Sequence, residues 1–114
     1  MSAGYIFQVS MDVAPEKEDL FNEVYDTEHV PLLLKVPGVR KVTRMKGQDF
    51  KVSLGGEIKD VAMEAPTWTA LYEIDSPDVL ASDAWAAAVE AGRWPEQVRP
   101  HTFNRHHKLF AKLT

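Results

Sequence analysis

The stretch that most limits what this chain can become is Thr67 to Ile74, TWTALYEI. Trp68, Ala70, Tyr72 and Ile74 fall on one parity, and Thr67, Thr69, Leu71 and Glu73 on the other. A repeat of two, rich in aromatic and β-branched residues, is the pattern of a strand with one face on a core. Gly4 to Val13, GYIFQVSMDV, repeats it, with Tyr5, Phe7, Val9 and Met11 opposed to Gln8, Ser10 and Asp12. Ile6 interrupts the polar side, so that side is expected to be partly covered. Val39 to Lys46 and His101 to Leu113 alternate in the same way, less cleanly.

Helical spacing separates these strands. Pro15 opens a first helix, where a missing N–H costs nothing, and Glu16, Glu18 and Asp19 suit the positive end of its dipole. Leu20, Phe21, Val24 and Tyr25 form the apolar stripe, and one further turn along that face lies His29. Pro31 is expected to end or kink the helix, leaving Val30 to Val36 a short irregular or single-turn segment before the Pro37-Gly38 turn. Ser76-Pro77-Asp78 starts a second helix with an alanine-rich body, Ala81 to Ala91, a possible restart at Ser82-Asp83, and Gly92 as its cap. Between the second and third strands, Phe50, Val52 and Leu54 precede Gly55-Gly56, with Ile58 beyond, and permit a small hairpin.

The order is strand, helix, strand, strand, helix, strand, the split β-α-β-β-α-β arrangement of a ferredoxin-like α+β fold in one domain spanning residues 1–114. Two helices then cover one face of a four-stranded antiparallel sheet. Because the strands carry apolar residues on both parities, Ile6, Leu71 and Phe110 among them, the second face is expected to pair with a second copy, giving a homodimer.

Composition narrows the function classes. A formal charge of −4, from 17 acidic and 13 scattered basic residues, provides no basic stripe for a nucleic-acid backbone. No apolar run approaches the roughly 20 residues that span a bilayer, and the N-terminus has no signal pattern, so a cytoplasmic protein is expected. The absence of cysteine removes thiolate nucleophiles and thiolate metal sites. His106 and His107 are adjacent in a strand and point to opposite faces, so they make no ligand motif, and neither a metal nor a cofactor is expected.

His29 has the residue type of a general acid or base, with a free imidazole titrating near neutrality and Asp26 and Glu28 close in sequence to set its tautomer. An imidazole at a helix C-terminus is equally favoured by the dipole alone. Tyr72 and Trp68 share a strand face and can wall a planar ligand or simply fill a core. Phe7 and Tyr25 belong to the same candidate lining. Arg44 shares a parity with Arg40; both can bind a substrate carboxylate or pair with Glu73 or Asp75 on a solvated face. Trp85 is expected between helix and sheet, and Trp94 to anchor a turn.

FNEVYDTEHVPLLLKVPGV followed by RKVTRMKG resembles the H-x-P and P-G-[VL] signature of the EthD-like proteins, a family of the dimeric α+β barrel superfamily. His29, Pro31, Pro37 and Gly38 carry the resemblance; WTALYEIDSP and DAWAAAVEAGRW are similar in kind to the family's third strand and second helix, while Gly47 to Pro66 matches no part of it. The resemblance implies a homodimeric barrel and maps the family's helix-end histidine onto His29. It also implies chemistry in the range of cofactor-independent enzymes acting on small cyclic molecules, lactone isomerases included. On this reading His29 and Tyr72 are catalytic, and Phe7, Tyr25, Trp68 and Arg44 hold a small cyclic or aromatic carbonyl compound for isomerisation, dehydration or lactone rearrangement. The alternatives are a non-catalytic ligand-binding or accessory dimer and a cofactor-free monooxygenase.

Overall fold

The computed structural model describes residues 4–114. Its main sheet contains β1 (Tyr5–Val13), β2 (Val39–Lys46), β5 (Trp68–Ile74) and β6 (Thr102–Ala111), in the spatial order β2-β5-β1-β6, all antiparallel. With the β3 and β4 hairpin set aside, this is the ferredoxin-like topology that the element order predicts. Tyr5, Phe7, Val9, Met11 and Val13 point to the helices, as do Trp68, Ala70, Tyr72 and Ile74, which is the face the period of two assigned them.

The hairpin pairs β3 (Phe50–Leu54) with β4 (Glu57–Val61) as a separate two-stranded sheet. Gly55 and Gly56 turn it with φ of +60° and +82°, values that a side chain resists. Phe50, Leu54 and Ile58 remain more than half exposed on it.

The first helical arm departs from expectation. It runs from α1 (Glu18–Val24) through a wide π-helical turn, Tyr25–His29, directly into α2 (Val30–Leu34). Pro31 therefore does not end the arm, and Val30 to Val36 take the short helical form of the two expected, with Val30–Leu34 helical and Lys35 and Val36 turning out of it. In the wide turn the Val30 N–H reaches back five residues to the Tyr25 carbonyl, which changes the spacing ahead of the proline ring and eases its clash with the preceding turn. The second arm is broken as the restart at Ser82 suggested: a 3-10 turn, Pro77–Ala81, then α3 (Asp83–Val89), each start capped by a serine hydroxyl accepting a backbone N–H. A second π-helical turn, Trp94–Val98, leads back to the sheet.

The core lies between these helical arms and the sheet. Phe21, Val24, Leu33 and Ile74 have no exposed surface, and Tyr72 and Val98 are almost as buried. On the opposite sheet face Ile6, Leu71, Met45 and Phe110 alternate with Gln8, Ser10, Thr43, Thr69 and Lys108, and a Ser10–Thr69 hydroxyl hydrogen bond of 2.9 Å crosses two strands. Met45 and Phe110 are about 40% exposed there. Among the described residues no helix is long and apolar enough to cross a membrane.

Because the core is on the helix side and the hairpin stands apart, Phe21→Ala is expected to cost about 3–5 kcal/mol, while Ile58→Ser stays within roughly 0.5 kcal/mol. Urea unfolding of the two variants checks this; comparable losses would mean that the hairpin is part of the cooperative core.

Candidate functional site

A cleft of about 560 Å³ opens between the helix side of the sheet and the helical arms, within the size range of small-molecule sites. The strands contribute Phe7, Val9 and Met11 from β1, Tyr72 from β5, and Arg105 and His107 from β6. The helical arms contribute His29 and Tyr25 from the first wide turn and Trp85, Trp94 and Arg99 from the second half of the chain. A π-helical turn rotates side chains out of the usual register, a distortion that recurs at functional sites, and here it delivers both His29 and Tyr25 to one wall.

His29 is 5% exposed. Its ring stacks on Trp94, with centroids 4.4 Å apart and planes 18° from parallel, and meets Tyr25 edge-on at 5.1 Å. The stack is set by a clamp between the two arms. The Glu28 carboxylate accepts the Arg93 backbone N–H at 2.9 Å and pairs with the Arg93 guanidinium, so the residue before His29 is tied to the residue before Trp94. Gly92 makes this approach possible: its φ is +71°, and a Cβ there would stand 2.7 Å from the Glu28 carboxylate. The Arg93 N–H, followed by its guanidinium, holds the Glu28 carboxyl below its ordinary range.

Three expectations about His29 need correction. It sits inside a continuous helical arm and is not a helix-end cap. Neither carboxylate expected to set its tautomer does so, because Glu28 binds Arg93 and Asp26 binds Arg44 at 2.7 Å. Its pKa is not near neutrality. Burial, reinforced by the positive charges of Arg99, Arg105 and Arg44, lowers it from 6.5 to about 4, so the imidazole is neutral at pH 7. Its Nδ1 is buried without a hydrogen-bond partner.

Tyr72 and Tyr25 meet through their hydroxyls at 3.0 Å, both buried. Burial raises both phenols, Tyr72 the more strongly, so both stay protonated. Two O–H groups share one mutual hydrogen bond, which leaves one proton to donate elsewhere. Phe7 lies beside Tyr72 and stacks on His107 at 5.8 Å, while Trp85 meets both Phe7 and Tyr72 edge-on.

Four of the six residues singled out from sequence, His29, Tyr72, Phe7 and Tyr25, therefore line one cleft. Trp68 and Arg44 do not. They lie on the far side of Phe21 and Tyr25, where the Arg44 guanidinium covers the Tyr25 ring at 4.3 Å and donates to Asp26 and Asn22. Arg40 takes the bland alternative and binds Asp75 through two hydrogen bonds. Trp94 does more than anchor a turn, since it is the floor beneath His29. Arg99, Arg105 and His107 were missed as site residues; only the parity shared by Arg105, His107 and the helix-side residues of β6 hinted at two of them.

No family model matches the chain, and no curated protein matches it. Among solved structures it is similar to the crystal structure of an ethyl tert-butyl ether d (EthD) family protein from Bacillus halodurans C-125. The two superpose with a TM-score of 0.58 at 17% identity, over 96% of this chain and 99% of that one. The fold is that of an EthD family protein. The EthD-like fold accounts for the sheet order and the paired helical arms; at this identity it carries no reaction with it.

The depressed His29 pKa fixes the sign of a pH effect. The unfolded chain takes up a proton near pH 6.5 and the folded one only near 4, so the contribution is fully present above 6.5 and is lost as pH falls towards 4. Its size is on the order of 3 kcal/mol. His29→Phe, which keeps a planar ring on Trp94, is expected to remove that part of the stability slope, and the His29 imidazole in an NMR titration to protonate near pH 4. A midpoint at the free value would show that water reaches the ring.

Proposed function

We propose that this protein is a cofactor-independent enzyme of the isomerase, dehydratase or lactone-rearranging type, acting on a small cyclic or aromatic carbonyl compound. The observation that carries the reading is His29. It is a buried imidazole with an unpartnered nitrogen, set in the same cleft as a hydroxyl pair that has one proton to spare. Unsatisfied buried polar groups are rare in folded proteins and concentrate where a ligand completes them.

In this mechanism the substrate lies in the cleft with its carbonyl oxygen facing Tyr72 and Tyr25. The spare hydroxyl proton hydrogen-bonds that oxygen as negative charge develops on it. His29 takes a proton from the carbon next to the carbonyl and returns it at the neighbouring position or to the departing oxygen. Phe7, with the indoles of Trp85 and Trp94, keeps water from the enolate. As a base His29 is weak in the empty cleft; because excluding water lowers its basicity further, negative charge brought by the substrate would have to offset the nearby guanidinium charges.

That weakness favours a second reading, a non-catalytic dimer that binds or delivers a small aromatic compound. His29→Ala separates the two. For a proton carrier, kcat falls by about 10²–10⁴ with a smaller change in KM. A variant that turns over substrate normally but binds it less well supports the binding role and removes His29 from catalysis.

The homodimer is part of the proposal. Pairing of two copies through the sheet face bearing Ile6, Leu71, Met45 and Phe110 would cover the apolar side chains left there, together adding to the core at roughly 25 cal/mol per Å² removed from water. Light scattering coupled to size exclusion is expected to return twice the 12.8 kDa chain mass at micromolar concentration, and Phe110→Glu to return the monomer. A wild-type monomer would reject this interface.

A further inference from the structure

The cleft and the chain as a whole have opposite charge balance. Acidic residues outnumber basic ones by 17 to 13 in the sequence, yet no Asp or Glu lines the cleft, while Arg99, Arg105, His29 and His107 do. Of the five arginines, four are bound to carboxylates: Arg40 to Asp75, Arg44 to Asp26, Arg93 to Glu28 and Glu23, and Arg99 to Glu90. Arg105 is the exception among the described residues. Its strand neighbours on the cleft side are apolar or imidazole groups, and among the described residues no carboxylate pairs with it.

Arg99 is prepared in a different way. One terminal nitrogen donates to both Glu90 oxygens, at 3.0 and 2.9 Å, and the other to the Val89 carbonyl at 2.8 Å. These contacts fix the plane of the guanidinium and use two of its five N–H donors, one of them shared between the two Glu90 oxygens, leaving three. The walls nearby are flat: Phe7 stacked on His107 and Trp85 edge-on to Phe7 at 5.9 Å. Planar guanidinium donors at the mouth of an aromatic slot match a planar anion, since a carboxylate takes two donors side by side and a ring fills the slot.

We propose that the cleft recognises a mono- or bicyclic aromatic carboxylate, with the carboxylate held by Arg105 and Arg99 and the ring against Phe7 and Trp85. This rests on the reading of the cleft as the functional site, and it names the substrate class; it does not depend on His29 transferring a proton. A bound carboxylate also offsets part of the guanidinium charge that, after burial, keeps His29 neutral, so ligand binding and the basicity of His29 are coupled.

The test is a matched series: 1-naphthoate, 4-hydroxybenzoate and their methyl esters, titrated calorimetrically and by quenching of tryptophan fluorescence at low salt. At least one acid is expected to bind about tenfold or more tightly than its own ester, as two charge-assisted hydrogen bonds require. Arg105→Gln, at an exposed position and checked for folding by circular dichroism, is expected to abolish that preference by weakening the acid far more than its ester. Arg99→Lys is expected to reduce it. His29→Ala is expected to keep it. The proposal is overturned if ester and acid bind alike, if neither acid binds, or if the preference survives Arg105→Gln. An acid bound with its preference intact but never turned over sinks the enzymatic reading alone; turnover of an ester with no preference for acids sinks this one alone.

Discussion

The packing of the first helical arm on the helix side of the sheet is the interaction on which the rest depends. Phe21 sits between Tyr25, Trp68 and Trp94, with ring centroids 5.4 to 6.0 Å away, and has no exposed surface. That cluster joins the arm, the third strand of the main sheet and the turn after α3 into one layer. Aromatic rings give large buried area with few rotatable bonds, so their mutual orientation is fixed once they pack. Tyr25 is part of the same cluster and lines the cleft. The site is thus an extension of the core in which two hydroxyls, two imidazoles and two guanidinium groups replace apolar side chains.

Such replacement destabilises the layer, and the surroundings show how the loss is contained. The two tyrosines satisfy each other, and the Glu28–Arg93 clamp holds the imidazole against Trp94 from outside the cleft, where its charges are partly solvated. Burial and like charge act together on His29, since both oppose a second proton. The imidazole is therefore kept neutral by its burial and by the positive groups that line the cavity.

Local patterning made much of the fold readable. A period of two placed Tyr5 to Met11 and Trp68 to Ile74 on the correct face, because neighbouring side chains on a strand must alternate. The Gly55-Gly56 turn and the serine caps were legible because they are local hydrogen-bonding and dihedral requirements. Pro31 misled for the same reason. A proline rule describes a regular α-helix, and the wide turn before it is stabilised by the packing of Tyr25 and His29, which no short window of sequence contains.

His29, Tyr72, Phe7 and Tyr25 were visible as chemistry because their residue types and strand or helix parity could be read in place. The sequence by itself determined the order of the elements, the face each strand turns to the helices, and the presence of an imidazole in the first arm. Only the tertiary structure decided which groups surround that imidazole. Trp94 and Arg99 come from more than sixty residues away and from a segment with no periodic pattern, and Arg105 and His107 reach the cleft only because β6 lies at the sheet edge beside β1. Charge balance is likewise a property of the assembled cavity: the acidic residues that dominate the chain are drawn to solvent and to the other arginines, since a buried carboxylate is costly without a partner, and Arg105 is left facing the cleft without one.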